Sequence, residues 1–262
     1  MAFHGKTALV VGGASGMGKV HVERMAAQGA VVAVWDINEK SLKDIQKLSS
    51  KILPFRVDVT NPTDVEDAYA KTIKGLGEID RYIHTAAIMP GDEIMHMSAE
   101  KIIHVMNINY FGMVHCVKAV LPGMLKRNTG DVILYGSSAG ENGGHRQAAY
   151  NASKSANNMF ADILYHENMK SKLRWVLVLP PAVSTPLMDQ LTTEEGPQII
   201  KDMVKKGNSW LFVTPEQVVD KVEKIIEKGK FRCYVGASKL VNILGRVTPG
   251  LLWKMAARKN GY

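Results

Sequence analysis

The chain predicts an α/β fold: a doubly wound parallel β-sheet of about seven strands, helices on both faces, one domain. Three observations carry that expectation. Short β-branched runs alternate with longer helical stretches, Gly, Pro or Asp bounds each run, and no linker, repeat or low-complexity segment interrupts the succession. Runs that are apolar on both sides belong in a sheet covered on both sides. A β-α-β-α succession closes such a sheet through right-handed crossovers.

Taken in order, the strand runs are Lys6–Val11, Ala30–Trp35, Ile52–Val57, Ile79–His84, Asp131–Tyr135 and Arg174–Leu179. Helices are expected near Met17–Gln28, Asn38–Ser49, Pro62–Lys74, Ser98–Lys126 and Ala148–Asn168. Pro62 follows Thr60-Asn61, a helix-start pattern. The alternation stops at Pro180. An insertion over 183–213 comes next, and in folds of this kind such insertions shape a binding site. A helix (Pro215–Lys228) and a last strand (Phe231–Val235) complete the sheet, and a basic amphipathic segment over 239–259 ends the single domain 1–262.

Composition narrows the function classes. With 262 residues, 46% apolar and 22% charged, the chain can bury one large core without disulfides. Cys116 and Cys233 are far apart and form no C-x-x-C pair, which argues against a disulfide framework or thiolate metal site and fits a reducing, cytoplasmic setting. The start of the chain has no secretory pattern, and no apolar run is long enough to span a bilayer. The net charge of +8 comes from 33 Lys and Arg spread along the sequence, with no nucleic-acid motif, so nucleic acid is not the expected partner.

The first strand runs into Val11-Gly12-Gly13-Ala14-Ser15-Gly16-Met17-Gly18, a variant of the dinucleotide fingerprint. Gly12 permits the tight turn, Gly16 lets backbone at Ser15 and Met17 approach a pyrophosphate, and Gly18 lets the helix pack close to the sheet. Asp36 closes the second strand. A carboxylate there accepts bonds from ribose hydroxyls and repels a 2′-phosphate, and neither position 15 nor 37 is basic, so NAD is expected over NADP. Asp58-Val59 ends the third strand, where Asp58 suits an adenine amino group or a cap for the helix at Pro62 equally well.

Tyr150-Asn151-Ala152-Ser153-Lys154 sets a phenol and an ammonium four residues apart on one helix face. A tyrosine of pKa about 10 is a poor base at neutral pH, and a fixed cation favours its phenolate. Tyr150 could then give a proton to a carbonyl or take one from an alcohol. Ser137, 13 residues earlier at the end of a strand, offers a hydroxyl to the reacting oxygen.

These motifs, in order and in register, resemble the short-chain dehydrogenase/reductase family from the glycine motif to about Val235. The resemblance implies a Rossmann-like fold and an NAD-dependent enzyme interconverting alcohols and ketones. It implies Tyr150 as acid/base, Lys154 on the nicotinamide ribose, Ser137 orienting the substrate oxygen, and Asn109 holding a proton-relay water. Ala86 would approach the ribose, and Val183 and Thr185 would meet the nicotinamide carboxamide. Ser138 and Asn107 are the rivals of Ser137 and Asn109. Three positions depart from the family pattern: Val11 stands for a threonine, His84-Thr85-Ala86-Ala87 for Asn-Asn-Ala-Gly, and Pro180-Pro181 for Pro-Gly.

Met89, Met188 and Met203 suggest an adaptable apolar substrate pocket, suited to steroid-, terpenoid- or acyl-like molecules. His84 and His145 read as packing or surface residues, and no metal site is expected. Ile102, Val105, Met113, Met159 and Ile163 exceed one core-facing stripe, and the family implies a homodimer or homotetramer through those helices. The tail 239–259 is open to two readings, packing against the protein and peripheral contact with a membrane surface. The alternatives to an NAD-linked enzyme are a non-catalytic dinucleotide sensor and an NADP-linked reductase.

Overall fold

The computed structural model describes Phe3, residues 5–191 and 212–248, and positions 250, 254, 257 and 258. Seven parallel strands form one sheet in the order β3-β2-β1-β4-β5-β6-β9. They are β1 (Thr7–Val11), β2 (Val31–Asp36), β3 (Ile52–Arg56), β4 (Arg81–His84), β5 (Asp131–Tyr135), β6 (Arg174–Leu179) and β9 (Arg232–Tyr234). The doubly wound sheet expected from the alternation is therefore present. A small second sheet pairs β7 (Ala182–Val183) with β8 (Phe212–Val213) inside the insertion, and the short helix α7 (Pro186–Asp189) follows β7.

Two apolar clusters account for the layering. On one face Ala8, Val10, Val32, Val34 and Ile133 pack against α1 (Gly16–Ala27) and, through Val218, Val222 and Ile226, against α8 (Pro215–Glu227). On the other, Leu9, Val11, Ala33 and Trp35 meet α3 (Pro62–Leu76), α5 (Gly112–Arg127) and α6 (Ala148–Glu167). Alternate strand residues serve alternate faces, so every central strand must be apolar on both. Between β2 and β3 runs α2 (Glu39–Gln46), whose first turn is capped by Asn38.

One expected element is interrupted. The single helix predicted over Ser98–Lys126 is α4 (Ala99–Met106), a π-turn at Asn107–Phe111, and then α5. The π-turn's wider winding re-aims one residue, and such turns are frequent at functional sites. Here it turns Asn109 fully inward, and its side chain bonds both backbone groups of Ile88: Nδ2 donates to the carbonyl at 2.9 Å and Oδ1 accepts from the N–H at 2.8 Å. Apolar periodicity alone cannot report such a turn. The same geometry corrects the interface reading: Val105 and Met113 are buried in the protein's own core, whereas Met159 and Ile163 are exposed.

The chain leaves β1 and β4 in opposite directions, although the two strands are neighbours with Val11 opposite His84. Connections that diverge from adjacent strands open a crevice at the carboxyl edge of the sheet. Most of the side chains that the sequence assigns to a cofactor line that crevice.

Candidate active site

A cavity of about 400 Å³ lies in that crevice. Its walls include Gly12, Ser15, Gly16, Met17, Gly18, Asp36, Asp58, Val59, Ala86 and Thr185. The structure thus brings together the residues that the sequence assigned to the cofactor, except three. Val183 is buried in β7, and Tyr150 and Lys154 belong to an adjoining cluster on α6.

The glycine loop is shaped by close approach. Gly12 has a φ of +74°, and a Cβ there would sit 2.6 Å from the backbone nitrogen of Ala86. A Cβ on Gly18 would strike the carbonyl oxygen of Gly12. Thr85 Oγ lies 2.8 Å from the Val11 carbonyl and 3.0 Å from that of Gly12, sharing its proton between them. The hydroxyl missing at position 11 is replaced from the neighbouring strand. Beyond the loop α1 begins, with Ser15 at its N-cap making no side-chain cap bond and with no acid in the first turn. Free N–H groups and the positive end of a helix dipole suit a phosphate.

Asp36 Oδ2 accepts from the Ala14 N–H at 3.1 Å, and Oδ1 accepts from the Asn38 N–H at 3.0 Å. These bonds fix the carboxylate between the glycine loop and α2, on the cavity wall. No lysine or arginine is among the described residues of that wall. For Asp58 the capping alternative fails, because Asn61 caps α3 through the N–H groups of Thr63 and Asp64. Asp58 Oδ1 accepts instead from the Thr60 N–H and hydroxyl, at 2.9 and 2.7 Å, and the residue stays on the wall.

The Ser137–Tyr150–Lys154 cluster lies beside the cavity, with Leu187 lining the cavity and packing against the Tyr150 group. Tyr150 is 7% exposed and hydrogen-bonds Ser137 through its side chain. Ser137 Oγ also accepts from the Ala139 N–H at 3.1 Å, while the rival Ser138 spends its hydroxyl on the Pro180 carbonyl at 3.0 Å. Lys154 Nζ donates to the Tyr135 carbonyl at 3.0 Å and lies 5.8 Å from the centre of the Tyr150 ring. Asn109 donates to Ser153 Oγ at 2.9 Å, and Ser153 donates to the Tyr150 carbonyl at 2.8 Å. The π-turn is thereby tied to the helix that carries the phenol.

Burial dominates the ionisation of this cluster. It pushes the Tyr150 phenol up to about 12, against the opposing pull of the Ser137 hydrogen bond. It pushes the Lys154 ammonium down to about 8. The depression of the phenol by Lys154 expected from the sequence is not found: desolvation raises it and only the Ser137 bond opposes, so the phenol is neutral near pH 7. The ring itself packs with Met89, Met188 and Leu191, giving the cluster an apolar wall. Met203, named with them from the sequence, lies outside the described residues.

The family model for short chain dehydrogenases matches residues 6–196. The chain belongs to the short-chain dehydrogenase/reductase family. It is an oxidoreductase of that family, similar to a 2-dehydro-3-deoxy-L-rhamnonate dehydrogenase (NAD(+)) of Sphingomonas sp. (strain SKA58), 30% identical over 72% of this chain and 76% of that one. A 3-oxoacyl-[acyl-carrier-protein] reductase of Thermotoga maritima is 28% identical over 83% of this chain and 89% of its own. Among solved structures, a short-chain dehydrogenase/reductase from Burkholderia phymatum in complex with NAD superposes with a TM-score of 0.84 at 22% identity, covering 96% of each chain.

Some wall residues of this short-chain dehydrogenase escaped the sequence reading. Ile37 is 52% exposed beside Asp36, and His104 and Ile108 reach the cavity from α4 and the π-turn. The isoleucine directly after the acid was the available signal, read only for its lack of charge; nothing local marks His104. His84 is buried with Nδ1 3.1 Å from the Tyr82 hydroxyl, as a packing histidine would be. Among the described residues no group of three His, Cys, Asp or Glu is arranged to hold a metal.

Proposed function

We propose that this enzyme transfers hydride between NAD(H) and a secondary alcohol or ketone on a hydrophobic small molecule, with Tyr150 as the proton donor and acceptor. The observation that carries the reading is the juxtaposition of two sites: a cavity walled by the glycine loop and Asp36, and the Ser137–Tyr150–Lys154 cluster beside it. The loop backbone and the start of α1 would hold the pyrophosphate, and Asp36 the adenosine ribose. The fixed carboxylate and the lack of a described Lys or Arg on the wall support NAD over NADP, since a 2′-phosphate would meet a negative charge with no cation to offset it.

When bound, the nicotinamide supplies or accepts the hydride. The protein's part is the proton and the developing charge. In reduction, Tyr150 donates its proton to the carbonyl oxygen while the Ser137 hydroxyl hydrogen-bonds that oxygen. Lys154, held by the Tyr135 carbonyl, then stabilises the phenolate left on Tyr150. Asn109 would hold the water that returns a proton, and Val183 and Thr185 would meet the carboxamide. A phenol kept neutral by burial suits the reductive direction at neutral pH. Met89, Met188 and Leu191 around Tyr150 favour an apolar substrate, steroid-, terpenoid- or acyl-like. Exposed Phe111, Met159 and Ile163 favour assembly into a homodimer or homotetramer through the π-turn and α6.

A nicotinamide absorbance screen of secondary alcohols and ketones, run with NAD(H) and NADP(H) in parallel, tests the reading. Turnover should appear with NAD(H) and be at least roughly tenfold weaker with NADP(H). Equal turnover with both would refute the cofactor assignment.

A further inference from the structure

The last described helix, α9 (Ser238–Val247), is inside out. Its buried positions are the polar Ser238 and Asn242, whereas Leu240, Ile243, Leu244 and Val247 are 53%, 49%, 40% and 73% exposed. Those four stand at i, i+3, i+4 and i+7, one continuous stripe on a helix. An ordinary surface helix turns such a stripe to the core. Here the inner face is held by polar bonds. Ser238 Oγ accepts from the Val235 N–H at 2.9 Å, and Asn242 Nδ2 donates to the Tyr234 hydroxyl at 3.1 Å and to Glu141. Glu141 also takes Arg232 at 2.8 Å. The helix is thus fixed with its apolar side outward.

Charge singles out the same segment. Eight of the 33 basic residues and none of the 25 acidic ones follow Glu227, which leaves 25 of each in the chain up to and including it. The whole excess of +8 therefore lies in the last part of the chain. Five of those cations, Lys239, Arg246, Lys254, Arg258 and Lys259, fall within or after α9, alongside Leu251, Leu252 and Trp253. Lys239 and Arg246 are exposed beside the apolar stripe.

We propose that the outward face of α9 docks on an anionic lipid bilayer. An apolar stripe flanked only by cations fits the boundary between acyl chains and negative headgroups. A second copy of this chain fits poorly, because a two-fold contact through α9 would bring two all-cationic segments together. Among the described residues no helix is long and apolar enough to cross a membrane, so the attachment is peripheral. α9 follows β9 at the carboxyl edge of the sheet and is tied to Glu141, four residues after Ser137. Docking there brings the side of the protein that carries the Ser137 loop to the lipid.

The test is flotation of the full chain with phosphatidylcholine vesicles, with and without about 30% phosphatidylserine. Wild-type protein should bind the anionic vesicles roughly tenfold more strongly than the neutral ones, and release as salt rises from about 0.1 to about 0.5 M. Ile243→Asp and Lys239→Glu, both at exposed positions, should each weaken binding several-fold while leaving the circular dichroism and the turnover of a water-soluble substrate unchanged. Failure of the wild type to float with anionic vesicles would overturn the proposal, and so would undiminished binding by Ile243→Asp. A fall in mass of Ile243→Asp by light scattering, with vesicle binding unchanged, would assign the face to a second copy instead.

Discussion

The two edges of the central sheet both bury charge, and they do so in opposite ways. At the amino edge Arg81, fully buried, donates to Asp131 at 2.7 and 2.9 Å and to Glu223 at 2.7 Å, and Arg174 adds a bond to Asp131 at 2.6 Å. The ring of Phe3 lies 4.5 Å from the Arg81 guanidinium. At the carboxyl edge Lys154 is held by a backbone carbonyl, and among the described residues no carboxylate pairs with it. A buried charge with a matched partner serves structure, because breaking the pair strands the other ion. A buried charge without one is kept ready for chemistry at a cost in stability.

The comparison breaks first at Tyr150. Tyr150→Phe removes the proposed proton donor and one hydrogen bond to Ser137, so kcat/KM should fall roughly 10²–10⁴-fold, with thermal unfolding little changed. Full activity in this variant would remove the chemistry from the carboxyl edge altogether. Arg81→Met should do the reverse. It leaves Asp131 short of a partner and should cost on the order of 3–5 kcal/mol in denaturant unfolding, while kcat per folded molecule stays near the wild-type value. A variant as stable as wild type would mean that the amino-edge cluster is dispensable.

The same contrast sets how much the sequence disclosed. The paired strands were legible because each must be apolar on both faces, and the doubly wound parallel arrangement followed from alternation; the strand order came only with the structure. The motif residues of the cavity were legible because backbone geometry demands glycine at Gly12 and Gly18 whatever surrounds them. The π-turn at Asn107–Phe111 was not, because it changes a helix by one residue per turn without altering composition. Nor was the ion cluster: Arg81, Asp131, Arg174 and Glu223 lie on four elements, and only the fold brings them together. The charge budget of the tail was open to reading, but a count over the whole chain hid it. Inspection of where the last acid falls, at Glu227, reveals it.

Ionisation sharpens the comparison. Burial lowers Lys154 from its ordinary 10.5 to about 8, so below pH 8 the folded protein carries an unfavourable ammonium. Between pH 8 and 10.5 the unfolded chain binds the extra proton, and the lysine's contribution to stability rises with pH. Lys154→Met should therefore be more stable than wild type at pH 7, by roughly 3 kcal/mol, and the difference should shrink as pH passes 8. Tyr150 works the other way only above pH 10, because its folded value is raised to about 12. His21 and His84, both lowered to about 3 by burial, act at the acid end. Between pH 6.5 and 3 the unfolded chain binds more protons, so stability should fall as pH falls through that window. Melting temperatures of wild type and Lys154→Met from pH 4 to 10 check both signs, and an advantage for Lys154→Met that does not shrink above pH 8 would refute the first.

The smallest expected effect tests whether the glycine loop depends on its neighbour. Thr85→Val removes the one hydroxyl shared by the Val11 and Gly12 carbonyls while preserving shape. A lost buried hydrogen bond costs about 1 kcal/mol net, somewhat more where the acceptors stay dry. The loop would then hold its turn less firmly where the dinucleotide's phosphates are proposed to bind. We expect KM for NAD to rise several-fold, with kcat nearly unchanged, since Thr85 is not in the Tyr150 cluster. Adding Val11→Thr to Thr85→Val should restore much of the loss, because it returns a hydroxyl to the same turn from its other side. A fall in kcat with KM constant would mean that Thr85 acts on the reacting groups and not on the loop.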